Sequence, residues 1–234
     1  MSRLVDRVRL SDERGLSLIE MVMTLMILSI VLAFVFASFG SLFWTTEKAE
    51  IRLQNLDEAR TIINGITKGI RTATRWDPVS SPFGTGNPSD ATAPGLADTR
   101  ELIFYANLDP AGPPAGPRRI RIYVDSSLRL MQAITRPTTA CSAPFTCTYP
   151  GTPTLTRVLG YYVPSSGTIF SFYDDSTTPA PTQLTSTPLN AADLLKVGQI
   201  QITLTIKKPT GFNVPGTTVI NQVRMPNVDY NPLT

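Results

Sequence analysis

The stretch RGLSLIEMVMTLMILSIVLAFVFASFGSLFW, residues 14–44, decides the fold. From Met21 to Trp44 it holds no charge, no proline and no amide side chain. At ~1.5 Å rise per residue a helix of that run is about 36 Å long, enough for a hydrocarbon core of about 30 Å. One carboxylate, Glu20, stands at its head, five residues past Gly15. An acid inside a bilayer costs roughly 2.5–3.5 kcal/mol on insertion scales, so it marks a functional position by default. Ser17-Leu18-Ile19-Glu20 also fits the S-x-x-E capping box, a local role that can coexist with a functional one.

Upstream of the run lie Arg3, Arg7, Arg9 and Arg14 against Asp6, Asp12 and Glu13. Arginines next to a span keep that end cytoplasmic, which puts the bulk of the chain on the far side. An ordinary secretory signal cut at Val35-Phe36-Ala37 would need an apolar core of about 20 residues, longer than the usual 7–15.

Composition removes whole classes of function. The 234 residues carry a net charge of +3, too small to argue for nucleic acid, and contain no histidine. Ser/His/Asp and Cys/His catalysis are therefore excluded within the chain, and so is the commonest metal ligand. No phosphate loop, paired catalytic carboxylates or nucleophile with a base is present, and no cofactor or metal is expected. The chain is read as a non-enzyme.

The helix is expected to continue past the span, from about Ser17 to Arg75, with Glu47, Lys48, Glu50 and Arg52 marking its exit from the bilayer. Leu56, Ala59, Ile63, Ile66 and Ile70 recur at steps of three and four, while Arg60, Lys68 and Arg71 fall largely elsewhere. Asp77-Pro78 should end it, because the residue before proline is driven out of the helical region. Gly65 and Gly69 weaken its last turns and leave room for close packing on a sheet.

All twenty prolines lie from Pro78 onward, and residues 78–98 read as a loop. Strands are expected at 101–105, at 119–124, at 199–206 and at 218–223, with a hairpin turn at Asp125-Ser126. In the segment 199–206, Ile200, Ile202, Leu204 and Ile206 alternate with polar residues, one face for a core and one for water. Such strands need a cover, and the half-helix from Leu56 to Ile70 supplies it. The fold class is α+β, a long N-terminal helix on an antiparallel sheet. The parts are a leader (1–15), a membrane-spanning half-helix (16–44), an amphipathic half-helix (45–76) and a β-rich part outside the cytoplasm (77–234).

Basic leader, Gly15, Glu20 and apolar helix stand in the register of a class III signal sequence, and the head of the chain resembles a type IV prepilin. The resemblance implies cleavage by a prepilin peptidase between Gly15 and Leu16 and methylation of the new Leu16 amine. It also implies a pairing of Glu20, the fifth mature residue, with that amine of a neighbouring subunit during assembly. Leu16 stands where phenylalanine is commonest; Ala37 stands where many major pilins have proline, which points to a straighter helix or to a minor component rather than a bulk subunit. The segments 157–162, 169–174, 200–206 and 223–227 are similar in order to minor pilins, nearest to PilW-like proteins and the J-type pseudopilins of type II secretion. The implied partners are the peptidase, other pilins, an inner-membrane assembly platform and, before assembly, lipid. The implied location is the cytoplasmic membrane and then a pilus or pseudopilus.

Cys141 and Cys147 are the only cysteines. Past the membrane the compartment is oxidising in most bacteria, so a disulfide is expected, contributing about 2 kcal/mol by closing a short loop. Two thiolates without histidine fall short of a zinc site, and the spacing is not that of a CxxC redox pair. Asp174-Asp175 lacks the spaced acids of a calcium loop and reads as turn acids. Arg118, Arg119 and Arg121 form a small basic group, but Arg119 and Arg121 read as the outward face of a strand, so DNA is the less favoured partner. Tyr161, Tyr162, Phe170, Phe172 and Tyr173 read as core rather than a ligand groove. Two readings from other classes stand beside the pilin: a membrane-anchored binding domain that never polymerises, and a secreted enzyme.

Overall fold

A computed structural model describes residues 17–74, 98–107, 116–141, 147–174, 180–186, 188–209 and 214–226. The chain divides into two compact units, Met1–Ala49 and Glu50–Thr234.

The first unit, where described, is helix. It belongs to α1, Leu18–Arg71, a single helix of 54 residues. Its apolar stretch has a mean hydropathy of 2.6, and none of it is buried within the chain. Phe34 and Phe36 are each 72% exposed, so this surface is one that only lipid or other helices can cover favourably. Three of the hydroxyls within it are satisfied internally. Thr24 donates to the Met21 carbonyl, Ser29 to that of Met26 and Ser38 to that of Phe34, at 2.8–2.9 Å. Such back-bonding lets hydroxyls sit in hydrocarbon without an unpaired donor.

The second unit is built on the other end of α1. Eight strands follow: β1 (Glu101–Ala106), β2 (Arg118–Val124), β3 (Leu130–Thr135), β4 (Leu155–Gly160), β5 (Phe170–Asp174), β6 (Thr182–Leu184), β7 (Val197–Ile206) and β8 (Thr217–Arg224). A one-turn helix, α2 (Ala191–Leu194), precedes β7. The α+β class expected from the sequence is what the structure has, with the strands in two antiparallel sheets ordered β1-β2-β3-β4 and β6-β5-β7-β8. They meet where the Thr99 carbonyl, just before β1, accepts from the backbone of both Ile169 and Phe170.

One apolar core joins helix and sheets. Ala59, Ile62, Ile63, Ile66 and Ile70 of α1 pack with Leu102, Phe104, Ile120 and Ile122 of the first sheet and with Phe170, Phe172, Ile200, Ile202 and Leu204 of the second. The stripe differs from the expected one at its start: Leu56 is only half-buried, and Asn55 is buried instead. Ile62 reaches Gly160 on β4 so closely that a side chain at Gly160 would collide with its Cδ1. Polar ties add register. Asn221 Nδ2 donates to Thr67 Oγ1 at 2.9 Å, and Glu58 accepts from the Tyr161 amide while pairing with Lys208 at 3.2 Å.

Helix α1 closes at Arg71, four residues before the expected end. Thr72 and Ala73 donate back three residues, to Gly69 and Ile70, tightening the last turn. The chain then joins the edge of β1, where Thr74 donates to the Tyr105 carbonyl at 2.9 Å and Asn107 to that of Thr72 at 3.2 Å. Main-chain bonds to a strand end the helix before proline can; Asp77-Pro78 lies outside the described residues.

The far face of the first sheet is covered at one end, around Tyr105 and Arg119. Cys141 and Cys147 form a disulfide, and Cys147, Tyr149 and Tyr105 bury together against it. Gly116 sits at φ 145°, and a Cβ there would strike Cys141 Sγ. Arg119 is therefore not the outward residue expected. It is 8% exposed, with its guanidinium 5.7 Å above the ring of Tyr149, which lies over the side of β2 that alternation assigned to water. Arg118 is buried as well.

Candidate processing and assembly site

The head of α1 is the first candidate. Ser17 precedes the first helical turn, and its Oγ accepts from the Glu20 amide at 3.3 Å while its carbonyl accepts from Glu20 and Met21. Ser17 is thus the N-cap, and it supplies its half of the capping box. A cap at Ser17 starts the helix just past the Gly15-Leu16 bond; both of those residues lie outside the described ones. Glu20 sits in the first turn, where a carboxylate complements the helix dipole. It is exposed beside Leu18, Ile19 and Met21, which are 84%, 69% and 59% exposed. An acid in so apolar a surface is able to accept from a cation or amine brought to it.

The other candidates disperse. The arginines form no phosphate-binding patch among the described residues. Arg118 and Arg119 are buried, and Arg121 holds Glu101 at 2.6 Å while lying 4.2 Å over the Tyr123 ring. Asp174 ends β5 opposite Thr182, Asp175 lies outside the described residues, and no group of three or more metal-ligating side chains occurs among the described ones. Phe170 and Phe172 are core, as expected; Tyr173 is half-buried on the outer face of its sheet. Tyr161 and Tyr162 are a correction, at 49% and 43% exposed, because β4 ends at Gly160 and the chain turns outward there. A cavity of about 30 Å³ beside Arg100 and Gly167 has room for little more than a water.

Sequence reasoning missed the Glu58 tether and the Arg100 clamp, whose guanidinium donates to the carbonyls of Pro164 and Gly167 at 2.8 and 2.9 Å. A lone acid on a helix and a lone arginine before a strand carry no local signal of such distant partners. Helix α2 did carry one. Asn190 caps it by accepting from the Asp193 amide at 2.8 Å, and Asn-x-x-Asp is a helix-start pattern.

A long apolar-headed helix followed by antiparallel sheets is an α+β pilin-like architecture. Residues 10–36 match the family model described as the prokaryotic N-terminal methylation motif, which supports a type IV pilin-like protein. That match spans the leader's end, the Gly15-Leu16 bond, Glu20 and most of the apolar run. It supports a prepilin of the pilin or pseudopilin kind, processed by a prepilin peptidase, assembling with other pilins and anchored in a membrane. Proteins with this motif are structural rather than enzymatic. None of the curated proteins matches the chain.

Proposed function

We propose that the protein is a minor type IV pilin or pseudopilin, cut after Gly15, N-methylated on Leu16, and built into a fibre or used to prime its assembly. The observation that carries this is the coincidence in register of the methylation motif at residues 10–36 with the Ser17-capped start of α1 and its exposed Glu20. Cleavage frees the Leu16 amine two residues before α1 begins at Leu18 and four residues before the carboxylate that needs a cation.

In the proposed sequence of events the leader stays in the cytoplasm and the apolar half of α1 spans the inner membrane. An assembly platform then extracts the subunit, and helices of other pilins replace lipid around Met21–Trp44. A carboxylate left unpaired in a dry helical bundle is costly, so Glu20 docks well only at the height where a neighbour's amine meets it. The absence of proline at Ala37 favours a minor over a bulk subunit.

Glu20→Ala tests the assembly step apart from processing. The variant is expected to reach the same mature mass as the parent and to remain in the membrane, with at least a tenfold loss from the sheared fibre fraction. Undiminished recovery in that fraction would sink the proposed role of Glu20.

A further inference from the structure

The second sheet presents two unlike faces. Inward, Ile200, Ile202, Leu204 and Ile206 of β7 are fully buried. Outward, the alternate positions carry glutamine, threonine, serine and tyrosine, and the strand registers align them across β5, β7 and β8. Gln201 stands beside Ser171 and Gln222, and Thr205 beside Thr218. Among the described outward positions of these three strands only Arg224 is charged, in a chain where charged residues make up 17%.

These side chains are tied to one another. The Gln201 Oε1 accepts from the Tyr173 hydroxyl at 3.4 Å and from Gln222 Nε2 at 3.0 Å, while Gln201 Nε2 donates to Thr203 Oγ1 at 3.5 Å. The Thr205 and Thr218 hydroxyls share a bond of 2.8 Å. Such a net holds rotamers that would otherwise have to be ordered on binding. It does not exhaust the groups in it. One amide hydrogen remains on Gln201 and on Gln222, the Gln222 carbonyl remains, and threonine hydroxyls both donate and accept.

What an array of this kind recognises follows from its chemistry. A phosphate, an anionic headgroup or an acidic peptide calls for several cations, and this face has one. A protein hot spot calls for a cluster of aromatic or aliphatic anchors, and among the described outward positions there are only Ile220, 61% exposed, and a half-buried Tyr173 whose hydroxyl is already bonded to Gln201. Neutral sugars present hydroxyls that, like the amides and hydroxyls here, both donate and accept. We infer that the outer face of β5, β7 and β8 binds an uncharged polysaccharide laid flat across the strands. This goes beyond processing and assembly and does not depend on either.

The test is retention of the full chain, in a sugar-free detergent, on microcrystalline cellulose, chitin and insoluble amylose. Retention on at least one polymer is expected, unchanged between low and high salt. The Gln201→Ala/Gln222→Ala double variant should lower it at least tenfold without moving the thermal midpoint, and Arg224→Ala should leave it unchanged. Should the double variant fold poorly, Gln222→Glu, at an exposed position, should give the same loss. The inference is overturned by no retention on any of the three polymers, by retention that falls with salt or with Arg224→Ala, or by full retention in the glutamine variants.

Discussion

Asp125 shows how much a single residue fixes in this chain. Its Oδ1 accepts from the amides of Ser127 and Arg129, both at 2.9 Å, and its Oδ2 from the Arg129 guanidinium at 2.7 Å, closing the β2–β3 hairpin. The Arg129 amide first, and then its guanidinium, hold the carboxyl below the usual carboxylate range. A folded-state pKa below the unfolded one of about 3.9 gives stability that is present above that value and lost as pH falls through the folded pKa. Asp125→Asn should therefore flatten the acid side of the stability profile, read as urea midpoints between neutral and strongly acidic pH. An unchanged acid slope would contradict the assignment. In the same hairpin Leu128 sits at φ 59°, a left-handed conformation that costs a branched side chain about 1–2 kcal/mol. Asparagine tolerates that region, so Leu128→Asn should raise stability by about 0.5–1 kcal/mol, and a loss would contradict the strain argument. The turn was legible as Asp-Ser; its positive φ was not, because nothing local in Leu128 announces it.

At the scale of the element, α1 was legible from its two periods of character, a charge-free run and then an apolar stripe. Its true end was not, since the bonds that close it come from β1, some thirty residues away in sequence. Strands β2 and β7 were legible by alternation and β1 and β8 as short β-forming runs, whereas β6, three residues long, offers no period to read. Alternation misassigned Arg119 for a physical reason. It tells which residues share a face, not what later covers that face, and here Tyr149 does. The stripe on α1 should carry much of the second unit's stability. Ile66, 1% exposed among residues of both sheets, should cost about 2–5 kcal/mol on substitution by alanine. A change under 1 kcal/mol in chemical unfolding would mean the helix is not the cover it is taken to be. Removing the disulfide with Cys141→Ser/Cys147→Ser should cost about 2 kcal/mol, and no loss would show that the segment holds without it.

For the molecule as a whole, the sequence pattern at the head and the fold behind it point the same way. The motif at residues 10–36 accounts for a helix that exposes its apolar half, and the sheets account for a helix whose other half is buried. The part of the candidate site that could be read in advance was Glu20, because an acid bordering a charge-free run stands out by its cost alone. The cap at Ser17 was also readable, from the S-x-x-E spacing. Intact mass and N-terminal sequence of the protein isolated from its own cells test the central claim most directly. A mature chain that begins at N-methylated Leu16 is the predicted result. A chain that begins at Met1, or one that begins beyond the apolar run near Ser38, would contradict it.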